Sequence, residues 1–186
     1  MAQDPVVIVG MSRTPMGGLL GDLAGMSANE LGAIAVKAAA DEAKLSETDV
    51  NEIIMGNCLP AGQGQAPARQ AAIKAGLDKG TEATTINKMC GSGLQATVMG
   101  ANAIAAGNAS IVVAGGMESM TNAPHLVDLR KGHKYGAAGM KDHMATDGLE
   151  DAYEGGPMGN FADMIAREYQ FTREQQDAYA LETLAR

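Results

Sequence analysis

Short apolar runs alternate with segments of helical period from residue 6 to residue 116, and this order constrains the fold more than any other feature of the chain. Residues 6–11, 52–56, 84–87 and 110–116 read as strands. The first helix opens at Ser27, where Ser27 and Glu30 have capping-box spacing, and runs to about Ala43. Leu31, Ile34, Ala35, Ala38 and Ala39 fall on its expected core face, with Glu30, Lys37, Asp41 and Glu42 on the wet side. Pro67 stands at a second helix start, and Gly76 is its stop. Residues 89–107 are nearly free of charge and carry Leu94, Val98 and Ala101 at helical spacing, which predicts a helix buried all round. Ile111, Val112, Val113 and Ala114 then read as a strand covered on both faces. Such alternation predicts an α/β domain, its mostly parallel sheet sandwiched by helices and ending near residue 118. From 121 to 159 the periodicity weakens into a long irregular excursion. Helices follow at about 160–169 and from Thr172, where Thr172 and Gln175 repeat the capping-box spacing.

A chain of 186 residues is long enough to bury a core. Glycine supplies 24 positions, while aromatics are four Tyr, two Phe and no Trp, so close packing of small residues is expected. With 14 Lys and Arg against 22 Asp and Glu, the net charge of -8 argues against a nucleic-acid or anionic-membrane partner. Residues 1–5 carry no positive leader, and no apolar stretch approaches the roughly 18 residues that span a bilayer. The expectation is a soluble, cytoplasmic protein. Two cysteines, Cys58 and Cys90, cannot make a disulfide framework.

Cys90 falls between a predicted strand and a predicted helix, so its sulfur is expected at the helix N-terminus. First-turn amides and the helix dipole favour a thiolate there. Gly91 and Gly93 would leave room for a substrate and turn their amides toward a developing oxyanion. From spacing alone, a nucleophile and a small packed thiol both remain open. His125, His133 and His143 lie in the irregular region without metal-site spacing and read as loop or surface residues. Arg130, Lys131, His133 and Lys134 form a basic cluster, either a solvated loop or a contact for phosphates. Glu118, directly after a strand, reads as structural, and Cys58 as packing.

The run NKMCGSGLQA at 87–96 and the run VAGGMESMTNAPH at 113–125 together resemble the thiolases, which make or cleave 3-ketoacyl-CoA thioesters. The agreement extends to RTPMG at 13–17, GQGQAPARQAA at 62–72, DGLEDAY at 147–153 and REQQDAYA at 173–180. Within that family the chain looks most like the acetyl-CoA C-acetyltransferases. The resemblance implies a thiolase-like layered α/β fold. Residues 1–118 would form the N-terminal domain with the nucleophile, and 119–186 the start of a CoA-holding loop domain, with the C-terminal domain absent. It implies that Cys90 accepts an acyl group from CoA and passes it to a second acetyl-CoA or to free CoA. Leu149 and Met158 match positions bordering the pantetheine arm and acyl pocket, while Pro157 stands where several relatives have histidine. The histidine and second cysteine that complete the family's catalysis have no candidate here, so the isolated chain is expected to be inactive. Implied partners are acetyl-CoA, acetoacetyl-CoA, CoA, a C-terminal thiolase half and further copies in a dimer or tetramer. No tightly bound cofactor and no metal are implied. A thiolase for longer acyl chains, a ketoacyl synthase and a noncatalytic thiolase-like subunit are the competing readings.

Overall fold

The computed structural model describes residues 5–186, which form two compact units, one up to Met144 and one from Ala145 to Arg186. The expectation that residues 1–4 carry no leader lies outside the described residues. Among those residues, no helix is long and apolar enough to cross a membrane.

The first unit is built on three parallel five-residue strands, β1 (Glu52–Gly56), β2 (Glu82–Ile86) and β3 (Val112–Gly116). Their order is β2-β1-β3, with Gly56 opposite both Ile86 and Gly116. The central strand contributes Ile53, Ile54 and Met55, all almost fully buried, as a continuous apolar run in a parallel sheet should be. Helices α1 (Ala28–Glu42), α2 (Pro67–Ala75) and α3 (Ser92–Ala105) connect or flank the strands. Pro67 stands in the first turn of α2, and Gly76 ends it in the left-handed region at φ 88°. Its N-cap position is Ala66, which has no side-chain acceptor, so the Ala68 amide donates instead to Thr85 Oγ1 of β2 at 3.0 Å.

Four expectations are corrected. Residues 6–11 belong to no ladder, and Val7, Ile8 and Val9 are exposed. β-propensity describes fit to a pleated surface, and no described strand lies beside this run to complete one. The core face of α1 is Ala28, Gly32, Ala33, Val36 and Ala40, not the larger residues, and Ile34 is 52% exposed. Small residues win because α1 packs on α2, which answers with Ala68, Ala71, Ala72 and Ala75. Helix α3 buries only Ser92, Ala96 and Gly100 against the sheet, and Leu94 is 74% exposed. One face of a helix meets one sheet, so apolar content all round did not bring burial all round. The strand β3 is likewise half-buried rather than fully covered.

The irregular stretch contains a two-residue antiparallel pair, β4 (His125–Leu126) with β5 (Lys141–Asp142). The second unit holds a π-helical turn (Ala145–Leu149), α4 (Gly159–Glu168) and α5 (Arg173–Ala185). Both halves of the α5 capping box form: Gln175 N donates to Thr172 Oγ1 at 3.3 Å, and Thr172 N to Gln175 Oε1 at 2.9 Å.

Candidate active site

Because the three strands end level, the residues that follow them arrive at one edge of the sheet. The Asn57 amide donates to Ile86 O at 3.0 Å and the Met117 amide to Gly56 O at 2.9 Å, continuing the ladder by one residue. Beyond it lie 57–59, 87–91 and 117–118, at the carboxyl ends of parallel strands, where open α/β sheets bind their ligands.

Cys90 is exposed, two residues ahead of α3. Met89 before it adopts a left-handed conformation at φ 48°, disfavoured for a residue with a Cβ. Four hydrogen bonds hold that residue. Its amide donates to Asn87 Oδ1 at 2.9 Å, and its carbonyl accepts from Ser92 N at 3.0 Å, Ser92 Oγ at 2.6 Å and Cys58 Sγ at 3.1 Å. Ser92, itself buried, also accepts from Lys88 N at 2.8 Å. The thiol of Cys90 therefore stands on a fixed turn and faces outward.

Two further expectations change at this turn. The Gly91 amide donates to Lys88 O at 3.1 Å, so it is committed within the turn rather than turned toward a substrate. Gly93 lies against the backbone of Gly115 and Gly116, which makes it a packing position between α3 and β3.

Cys58, expected only to pack, is half-buried next to the Cys90 turn and bonded to it. Burial pushes its thiol up from the ordinary range; the Ser92 contact opposes this, and the neighbouring Glu118 and Cys90 raise it further. Glu118 takes three donors from one short loop: Asn57 Nδ2 at 2.7 Å, Cys58 N at 2.7 Å and Leu59 N at 3.1 Å. Sequence reasoning missed this group because Cys58 and Glu118 lie 60 residues apart. A signal was present nonetheless, since each member lies within three residues of the end of a strand of the parallel sheet.

Leu149 and Met158 meet within the second unit, where Met158 N donates to Leu149 O at 3.0 Å, and both residues are exposed. His143 is buried rather than superficial at 5% exposure, and its Nε2 accepts from Ala61 N at 3.4 Å. Arg130, Lys131, His133 and Lys134 are all exposed. Among the described residues, no group of three or more His, Cys, Asp or Glu could hold a metal ion.

The sequence profile described as the thiolase N-terminal domain matches residues 6–186. This chain belongs to the thiolase family. The acetyl-CoA acetyltransferase of Schizosaccharomyces pombe is 46% identical over 187 residues, covering 100% of this chain and 47% of that protein. That of Cupriavidus necator is 52% identical over 177 residues, covering 95% and 45%. A crystal structure of a thiolase from Ascaris suum in complex with coenzyme A superposes with a TM-score of 0.88 at 42% identity, covering 94% of this chain and 46% of that one. The thiolase chain here thus spans about half the length of these relatives.

Proposed function

We propose that this chain carries the nucleophile of an acetyl-CoA C-acetyltransferase and that Cys90 is that nucleophile. What supports the reading is an exposed thiol on a turn fixed by four hydrogen bonds at the carboxyl edge of a parallel sheet, in a thiolase whose similar proteins carry that name. In the first half-reaction the Cys90 thiolate attacks the thioester carbonyl of acetyl-CoA. The carbon–sulfur bond to CoA breaks, CoA leaves as a thiol after taking a proton, and the acetyl group remains on Cys90 Sγ. In the second, the α-carbon of another acetyl-CoA loses a proton and attacks the acetyl-cysteine. Acetoacetyl-CoA forms and the Cys90 thiolate is released; thiolysis runs the same steps backward.

A rigid turn serves this chemistry because holding the sulfur at attack distance removes orientational entropy from the step. The Cys90 amide would supply one oxyanion donor, with the second donor, the activating histidine and the proton-moving cysteine coming from residues outside this sequence. Leu149 and Met158 would border the pantetheine arm and acyl group. CoA and its esters act here as substrates, with no tightly bound cofactor, in a cytoplasmic dimer or tetramer. By itself the 186-residue chain would not complete turnover. The deciding experiment is an intact-protein mass spectrum before and after acetyl-CoA. One acetyl group on the peptide containing Cys90 supports the reading, and an unmodified Cys90 in a preparation that includes the complementary half overturns it. Robust cleavage of acetoacetyl-CoA by the 186-residue chain alone would overturn the division of labour.

A further inference from the structure

Acyl transfer through Cys90 leaves Glu118 without a task, although its carboxylate gathers three donors. Oε1 accepts from Asn57 Nδ2 and Leu59 N, and Oε2 accepts from Cys58 N. A carboxylate accepts on both oxygens, whereas a glutamine would have to turn its NH2 group toward one of these donors. The loop gripped this way touches the turn before Cys90 at two points. Asn87 Nδ2 donates to Cys58 O at 3.4 Å, and Cys58 Sγ donates to Met89 O at 3.1 Å. Met89 is the left-handed residue of that turn, and such a conformation persists where its surroundings over-determine it.

We infer that Glu118 is a positioning residue for Cys90: by clamping residues 57–59 it holds the Met89 peptide, and through that peptide it sets the place of the reactive thiol. The inference rests on the reading of Cys90 as nucleophile. The same carboxylate sorts the two thiols. Cys58 must keep its proton to donate to Met89 O, and its burial together with the negative charge of Glu118 favours that protonated state. Cys58 is thereby kept as a structural donor while Cys90 remains the thiol that meets electrophiles.

The test is iodoacetamide alkylation followed by peptide-resolved mass spectrometry, which reads Cys58 and Cys90 separately without any acyl-CoA. In Glu118→Gln the ratio of Cys90 to Cys58 rates is expected to fall several-fold, because the negative charge that favours the protonated Cys58 thiol is removed and the loop that holds the Met89 peptide loses its clamp. In Cys58→Ala the Cys90 rate is expected to fall by about threefold, and Cys58→Ser, which restores a donor, should recover it. A folded Glu118→Gln protein with an unchanged ratio overturns the inference. Should that variant fail to fold by circular dichroism, an unchanged Cys90 rate in Cys58→Ala overturns it instead. Alkylation that behaves as expected in a protein whose Cys90 never takes an acetyl group would count against acyl transfer and not against the clamp.

Discussion

A Cβ placed on Gly56 would stand 2.5 Å from the Cβ of Ser92 and 2.8 Å from the Ser92 carbonyl carbon, so the last residue of β1 and the first of α3 meet with no room between them. Backbone cannot retreat as the end of a flexible side chain can. Gly56→Ala should therefore push the start of α3 off the sheet and destabilise the fold by about 1–3 kcal/mol. Urea unfolding checks the loss, and a slower alkylation of Cys90 in the same variant checks the displacement. An unchanged midpoint would mean that the contact relaxes without cost.

Helix α2 borrows its cap from a strand. Replacing Thr85 by valine keeps the shape of the side chain and removes the oxygen that accepts from Ala68 N. A loss of about 1 kcal/mol is expected, the size of a missing N-cap. Amide hydrogen exchange should accelerate in the first turn of α2 and not in its last. Uniform acceleration along the helix would point to global unfolding instead.

The carboxyl of Glu30 is held at about 2 by the Ser27 hydroxyl and amide and then by Lys74, 3.4 Å away, against an ordinary value of 4.5. Since the folded value is the lower one, the stabilisation is complete above about pH 4.5 and is lost as the pH falls through 2. Melting temperatures of the wild type and Glu30→Gln should therefore differ at neutral pH and converge as the solution is acidified toward 2. A constant offset across that range would contradict the assignment.

Cys90→Ser should abolish covalent capture of a labelled acetyl group in a preparation that also contains the complementary half, while leaving the melting temperature near that of the wild type, because the side chain is exposed. Label still bound to the serine variant would place the nucleophile elsewhere.

The sheet was readable because its signals are local. An apolar run announces β1, Pro67 and Gly76 bracket α2, and Thr172 with Gln175 opens α5. What the sequence did not disclose depends on partners that sequence distance hides. Residues 6–11 have strand composition with no strand beside them among the described residues, and the buried face of α1 was decided by the alanines of α2. Cys90 and its turn could be placed from one strand and one helix. The clamp around it could not, because Asn57, Cys58, Asn87 and Glu118 come from three strand ends that only the register brings together.

That register makes silent residues into rulers. Each of the three strands is five residues long, and each delivers its following residues to the same level. Deleting one residue inside β1 would draw Asn57 and Cys58 back by about 3.3 Å and send alternate side chains to the opposite face. Contacts of 2.7 Å to Glu118 cannot stretch over such a step. Strand length in this sheet is therefore under chemical constraint even at positions that never approach the sulfur.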